Sequence, residues 1–211
     1  MKRVCLVNGS LSGAKASSLT FLKRLSAEMT PALFHVDWVG VRPGAGGSRE
    51  TLGAMSAADA IVLAFPLFSY SLSGAVTALL EDFHAFAAKG GRYNPEARVF
   101  AIINCGFPEP WTMRESIRVV KNFCARMGLR YRFSVAVSSG PVTAMTMKVP
   151  LLNPRLKRAF ARIARDILQE GAGWQDDVYV KPIIPKPIIL KIKEHYEKKS
   201  VVLSAPEVQR R

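Results

Sequence analysis

Five apolar runs of strand length alternate with five stretches of helical spacing along this chain of 211 residues. The runs at residues 2–8, 32–39, 60–66, 97–104 and 130–138 read as strands. Residues 60–66, Ala-Ile-Val-Leu-Ala-Phe-Pro, are apolar throughout, as expected of a central strand covered on both faces. Residues 16–29, 49–57, 73–89, 111–127 and 154–170 read as helices. Val76, Leu79, Leu80 and Phe83 share one side of the third, and Ile117, Val120, Phe123, Cys124 and Met127 one side of the fourth. Gly90-Gly91 and Gly128 stop these two helices. A strand followed by a helix, five times over, predicts a three-layer α/β sandwich built on a five-stranded parallel sheet.

In such a sheet, ligands bind beyond the carboxyl ends of the strands, where the strand order reverses. The loops after the first, third and fourth strands therefore carry the chemistry. The first loop, Asn8-Gly-Ser-Leu-Ser-Gly-Ala-Lys-Ala-Ser-Ser18, is rich in small and hydroxyl-bearing residues and opens a helix. Unpaired N–H groups at a helix start favour an anion, so Ser10, Ser12, Ser17 and Ser18 are candidate phosphate ligands. The loop lacks the Gly-Lys-Ser/Thr end of a P-loop and the G-x-G-x-x-G dinucleotide fingerprint. A hydroxyl-rich loop after the first strand suggests a flavin mononucleotide phosphate site. The loop after the third strand, Pro66-Leu-Phe-Ser-Tyr-Ser-Leu-Ser-Gly74, combines aromatic faces with hydroxyls, which suits a flavin ring or, equally, a plug over the core. The loop after the fourth, Asn104-Cys-Gly-Phe-Pro-Glu109, offers an amide and a glycine for close backbone approach.

Taken together, Asn8-Gly-Ser10 with Ser17-Ser18, Ala64-Phe-Pro-Leu-Phe68 with Ser73-Gly74, and Asn104-Cys-Gly-Phe-Pro-Glu109 resemble the NAD(P)H-dependent FMN reductase and flavodoxin-like NAD(P)H oxidoreductase superfamily over about residues 1–170. The resemblance implies a flavodoxin-like sheet of order 2-1-3-4-5. It implies FMN as cofactor, NAD(P)H as co-substrate and a small-molecule electron acceptor, a quinone or flavin. It puts Ser10, Ser12, Ser17 and Ser18 on the FMN phosphate. Pro66, Leu67, Phe68 and Ser69 then flank one side of the ring, and Asn104, Cys105, Gly106 and Phe107 another, with no side chain required as acid or base. Homo-oligomers are common in the superfamily and are expected here. One departure is that Leu11-Ser12 follows the Gly-Ser pair where many relatives carry a base; the first base is Lys15. The rivals are an electron-transfer protein without NAD(P)H oxidation and a flavin-less basic interaction module.

Charge bears on the partners. The formal net charge is +14, spread over several helices without the aromatic interleaving of a single-strand binder, so nucleic acid is disfavoured. A basic surface also steers anionic cofactors, and it counts against docking in the manner of the acidic flavodoxins. The chain divides into a 1–177 domain and a 178–211 arm with Pro182, Pro185 and Pro187, then a short basic helix near 188–199. The arm holds eight Lys or Arg against three acids; docking on a membrane surface is one reading, and packing on its own domain or a partner subunit is preferred.

No apolar run reaches membrane-spanning length and no hydrophobic signal region opens the chain, so a cytoplasmic protein is expected. Cys5, Cys105 and Cys124 are odd in number and have no C-x-x-C, which argues against a disulfide framework. Cys124 and Arg130 match C-x5-R, but a helix precedes the cysteine where a phosphatase loop needs a strand. His35, His84 and His195 lack metal-ligand spacing.

Overall fold

The computed structural model describes residues 1–42, 47–147, 153–169, 173 and 175–183. Its strands are β1 (Lys2–Asn8), β2 (Phe34–Gly40), β3 (Ala60–Pro66), β4 (Arg98–Asn104), β5 (Arg130–Val137) and β6 (Val178–Val180). Its helices are α1 (Ser17–Ser26), α2 (Arg49–Ser56), α3 (Gly74–Ala88), α4 (Arg114–Met127), α5 (Gly140–Thr146) and α6 (Pro154–Leu168), with 3-10 turns at Gly13–Lys15 and Pro110–Met113. All strands pair in parallel in the order 2-1-3-4-5-6.

Alternation along each strand builds two cores. Val4, Leu6, Val62 and Ala64 face α1 and α6, where Phe21, Leu22, Leu25, Phe160 and Ile163 pack. Cys5, Val7, Ile61, Leu63 and Phe65 face the other way, onto Met55, Val76, Leu79, Phe83, Ile117 and Val120 of α2, α3 and α4. Local chemistry bounds the elements, and the stop at Gly128 is where the sequence places it. Ser48 and Ser73 cap α2 and α3 by accepting from the N–H of Thr51 and Val76. Gly128, at φ 67°, closes α4 in the left-handed conformation.

Two elements were not expected. The first is α5, which follows directly on β5 through Ser139. The second is β6: the arm anticipated from residue 178 begins as a strand of the sheet. Asp177 anchors it, accepting from Ser134 N–H at 2.8 Å, from Lys121 Nζ at 2.7 Å and from the Tyr131 hydroxyl. Val178–Val180 then covers the ladder groups of β5 that an edge strand would leave open. Three residues are too few for periodicity to reveal. The helix read at 188–199 lies outside the described residues.

At the amino end of β4 and β5 sits a partly buried ion cluster around the buried Asp166. Arg132 Nε and Nη2 each donate to the Asp166 carboxylate at 2.9 Å, while Arg98 donates to the Asp166 carbonyl. Asp166 is buried, so removing its charge strands Arg132. We expect Asp166→Asn to lower unfolding stability by about 3–5 kcal/mol in urea titration. Burial pushes the Cys5 and Cys124 thiols up to about 12 from an ordinary 9.0. A raised thiol pKa favours the folded state while the unfolded thiol is still protonated. Stability should therefore hold below pH 9 and decline as pH rises through 12, and a Cys5→Ala, Cys124→Ala double variant should show a shallower alkaline decline in thermal scans.

Candidate functional site

Strand order reverses at β1, which lies between β2 and β3, so the loops leaving β1 and β3 part at the carboxyl edge of the sheet. Gly9 is pinned there: its N–H donates to Ala64 carbonyl at 2.7 Å, and a Cβ would lie 2.7 Å from Val76 Cγ2. The loop then folds on its own hydroxyls. Ser10 N–H donates to Asn8 Oδ1 and Ser12 N–H to Ser10 Oγ, both at 3.3 Å. Ala16 precedes α1, so no side chain caps the first N–H groups of that helix. Ser12 is exposed, Ser17 half-buried, and Ser10 and Ser18 buried.

Asn104, at the end of β4, binds the loops together. Its Nδ2 donates to Ser18 Oγ at 2.8 Å and to the Phe65 carbonyl at 3.1 Å. The start of α1 and the end of β3 are thus held by one buried carboxamide. Leu67 N–H donates to the Asn104 carbonyl at 2.7 Å and extends the ladder into the loop. The loop after β5, which the sequence reading missed, completes the junction. Gly140 N–H donates to Cys105 carbonyl at 2.7 Å and Ser139 N–H to Phe107 carbonyl at 2.8 Å. A Cβ on Gly140 would come within 2.8 Å of Asn104 Oδ1. The signal for this loop was the small-residue turn Ser138-Ser-Gly-Pro141. Ser139 stands at φ 48°, and its buried Oγ has no hydrogen-bond partner.

After Pro66 and Leu67 the chain makes a tight hairpin. Phe68 and Ser71 exchange hydrogen bonds of 2.9 and 2.8 Å across Ser69 and Tyr70, whose φ angles are 44° and 63°. Two left-handed residues inside a two-residue turn define type I′, which normally favours Asn or Gly. Holding Ser and Tyr there costs about 1–2 kcal/mol each. The strain projects Phe68, 60% exposed, and Tyr70, 58% exposed, from the sheet edge. Tyr70 stacks on Phe107 of the next loop, with ring centroids 5.5 Å apart and planes 10° from parallel.

The candidate residues therefore divide. Ser12, Ser17, Phe68, Ser69, Gly106 and Phe107 present surface at the edge, with Pro66 and Leu67 half-buried beneath. The side chains of Asn104, Ser18 and Cys105 turn inward. The Cys105 thiol points to Phe107 carbonyl at 3.5 Å and Thr112 Oγ1 at 3.7 Å, and burial pushes its pKa up, so it stays protonated at neutral pH.

No protein-family model and no curated protein matches the sequence. Solved structures do match the fold. The NADPH-quinone reductase from P. pentosaceus aligns with a TM-score of 0.56 at 16% identity, over 82% of this chain and 100% of that one. The NAD(P)H:quinone oxidoreductase from Methanothermobacter marburgensis aligns at 0.54 and 12% identity, over 77% and 96%. The chain has the flavodoxin-like fold. A flavodoxin, WrbA-like protein from Agrobacterium tumefaciens shares it, with a TM-score of 0.52 and 12% identity over 79% of this chain and 98% of that one. Within this flavodoxin-like fold, β6 is an addition to the expected order 2-1-3-4-5 on the far side of β5.

Removing the Asn104 carboxamide takes the donor from the buried Ser18 hydroxyl and the side-chain donor from the Phe65 carbonyl, so Asn104→Ala should cost about 1–3 kcal/mol in denaturant unfolding. Combined with Ser18→Ala, the losses should be less than additive by about 0.5–1.5 kcal/mol; strict additivity would show that the two side chains do not act as one link.

Proposed function

We propose that this chain is a flavoprotein oxidoreductase that moves a hydride from NAD(P)H by way of bound FMN to a quinone, a free flavin or another small acceptor. The observation that carries the reading is the convergence of a hydroxyl-lined helix start and an aromatic shelf on one sheet edge, tied by Asn104. The donor set suits a phosphate dianion: uncapped N–H groups at the start of α1, hydroxyls of Ser10, Ser12 and Ser17, and Lys15 nearby in sequence. Ser18 contributes its backbone there, while its hydroxyl serves Asn104.

FMN, when bound, supplies the two-electron redox chemistry; the protein supplies position and electrostatics. Pro66, Leu67, Phe68 and Ser69 would line one side of the ring. The loop Asn104, Cys105, Gly106 and Phe107 would meet it through backbone at Gly106, where nothing lies within 4 Å of an added Cβ. Tyr70 and Phe107 are too close for a third ring between them, which needs about 7 Å. The flavin, nicotinamide or acceptor would take an outer face of the pair or part it. The buried, protonated Cys105 has no role as a nucleophile.

Anaerobic mixing of flavin-loaded protein with NADPH should bleach the flavin absorbance; a flavin that binds but is not bleached would favour the electron-transfer reading. Ser12→Ala with Ser17→Ala should weaken FMN binding roughly tenfold while leaving riboflavin affinity unchanged, because only FMN carries the phosphate. Folded protein that takes up no flavin in a fluorescence titration would end the proposal.

A further inference from the structure

The carboxyl edge of the sheet carries more exposed apolar surface than a buried cofactor would use. Leu11, Phe68, Tyr70, Phe107, Trp111 and Ile183 are 52, 60, 58, 40, 49 and 60% exposed. They come from the ends of β1, β3, β4 and β6, so they form a row rather than isolated tips. With about 4.8 Å between neighbouring strands, the row from β1 to β6 spans roughly 19 Å. The tips are mutually braced: Tyr70 stacks on Phe107, and Lys181 Nζ sits 4.5 Å above the Trp111 ring.

Cations flank this row. Lys15 follows Leu11, Arg114 opens α4 just beyond Trp111, and Lys181 closes the β6 end. The acids near Trp111 are Glu109, which precedes the turn at Pro110–Met113, and Glu115, which pairs with Arg118. Because β6 runs parallel to the other strands, Lys181 and Ile183, which follow it, belong to this same edge. Residues 184–211 hold seven Lys or Arg against three acids, and five Ile or Leu stand within 184–192. Among the described residues, an apolar row and a cationic rim meet at one edge.

We propose that this edge docks on an anionic lipid surface, and that the electron acceptor is a quinone held in that lipid layer. The acceptor clause rests on the oxidoreductase reading; the docking does not. Aliphatic Leu11 and Ile183 gain little on a nucleic acid but gain burial at the acyl boundary, where aromatic rings also settle. Each cation near an anionic surface adds to the attraction, and salt weakens it. No helix among the described residues is long and apolar enough to cross a membrane, and the docking proposed is of a surface that lies on the lipid layer. In the reaction, the C–H electron pair of NAD(P)H leaves as hydride. With one proton from water it turns the quinone into a hydroquinone, leaving NAD(P)+.

Flotation of the full-length protein with vesicles tests this. The protein should float with equimolar phosphatidylcholine–phosphatidylglycerol vesicles, stay behind with pure phosphatidylcholine, and be released by high salt. Trp111→Ser with Ile183→Ser, and separately Arg114→Glu with Lys181→Glu, should each cut vesicle binding by roughly tenfold or more. Both variants should reduce a water-soluble quinone at the parental rate and a vesicle-held long-chain quinone more slowly. Unchanged vesicle binding in both variants, equal binding to neutral vesicles, or retention on RNA with no vesicle binding would each overturn the docking. Salt-sensitive vesicle binding without reduction of any quinone would keep the docking and overturn the acceptor clause.

Discussion

The upper edge of this protein depends on one buried carboxamide. Asn104 Nδ2 reaches the first turn of α1 through Ser18 and the end of β3 through the Phe65 carbonyl, while Gly140 lies so close that no other residue fits. Four loops leave the sheet here, and each would otherwise wander independently. A buried amide with two neutral acceptors contributes only modest net stability, but each unmade bond would strand a polar group away from water. The geometry is therefore specified by the cost of its alternatives. The amide also ties the hydroxyl-lined turn to the aromatic shelf, the two features on which the redox reading stands.

Rigidity of a second kind comes from the hairpin at Ser69 and Tyr70. Two side-chain-bearing residues in left-handed conformations are tolerated because Phe68 and Ser71 exchange both hydrogen bonds and because Tyr70 finds Phe107 to stack on. Strain of this sort persists only where the surroundings over-determine it. Here it keeps aromatic rings in water that a looser turn would fold down onto the core. Exposed rings held at an energetic cost are what a flat ligand or a surface partner would use, and they join the shelf to the cationic rim at Lys181 and Trp111.

The three cysteines illustrate how environment decides chemistry. All are free and buried, and desolvation pushes each thiol up. Cys105 lies in the middle of the candidate site, yet its thiol turns to Phe107 carbonyl and Thr112. Position in a candidate-site loop does not make a nucleophile when burial holds the proton. The C-x5-R match of Cys124 fails for the same reason, since Cys124 faces the core from α4.

The sheet, its parallel sense and five of its strands were legible in the residues, because apolar runs with small or proline stops have no other way to bury both faces. The helix stop at Gly128 was legible for a local reason: a left-handed turn is short-range chemistry. The residues of the three loops could be named, but not which way their side chains point. That Asn104, Ser18 and Cys105 turn inward while Phe68, Tyr70 and Phe107 stay out follows from packing among segments dozens of residues apart. The sixth strand belongs to the same class. Val178–Val180 has no pattern of its own and becomes a strand only because β5 offers an open ladder and Asp177 meets Ser134, Tyr131 and Lys121. Sequence by itself determined the layers and pointed to the edge proposed as the site; tertiary contact decided the surface that edge presents, since long-range hydrogen bonds and stacking leave no local periodicity.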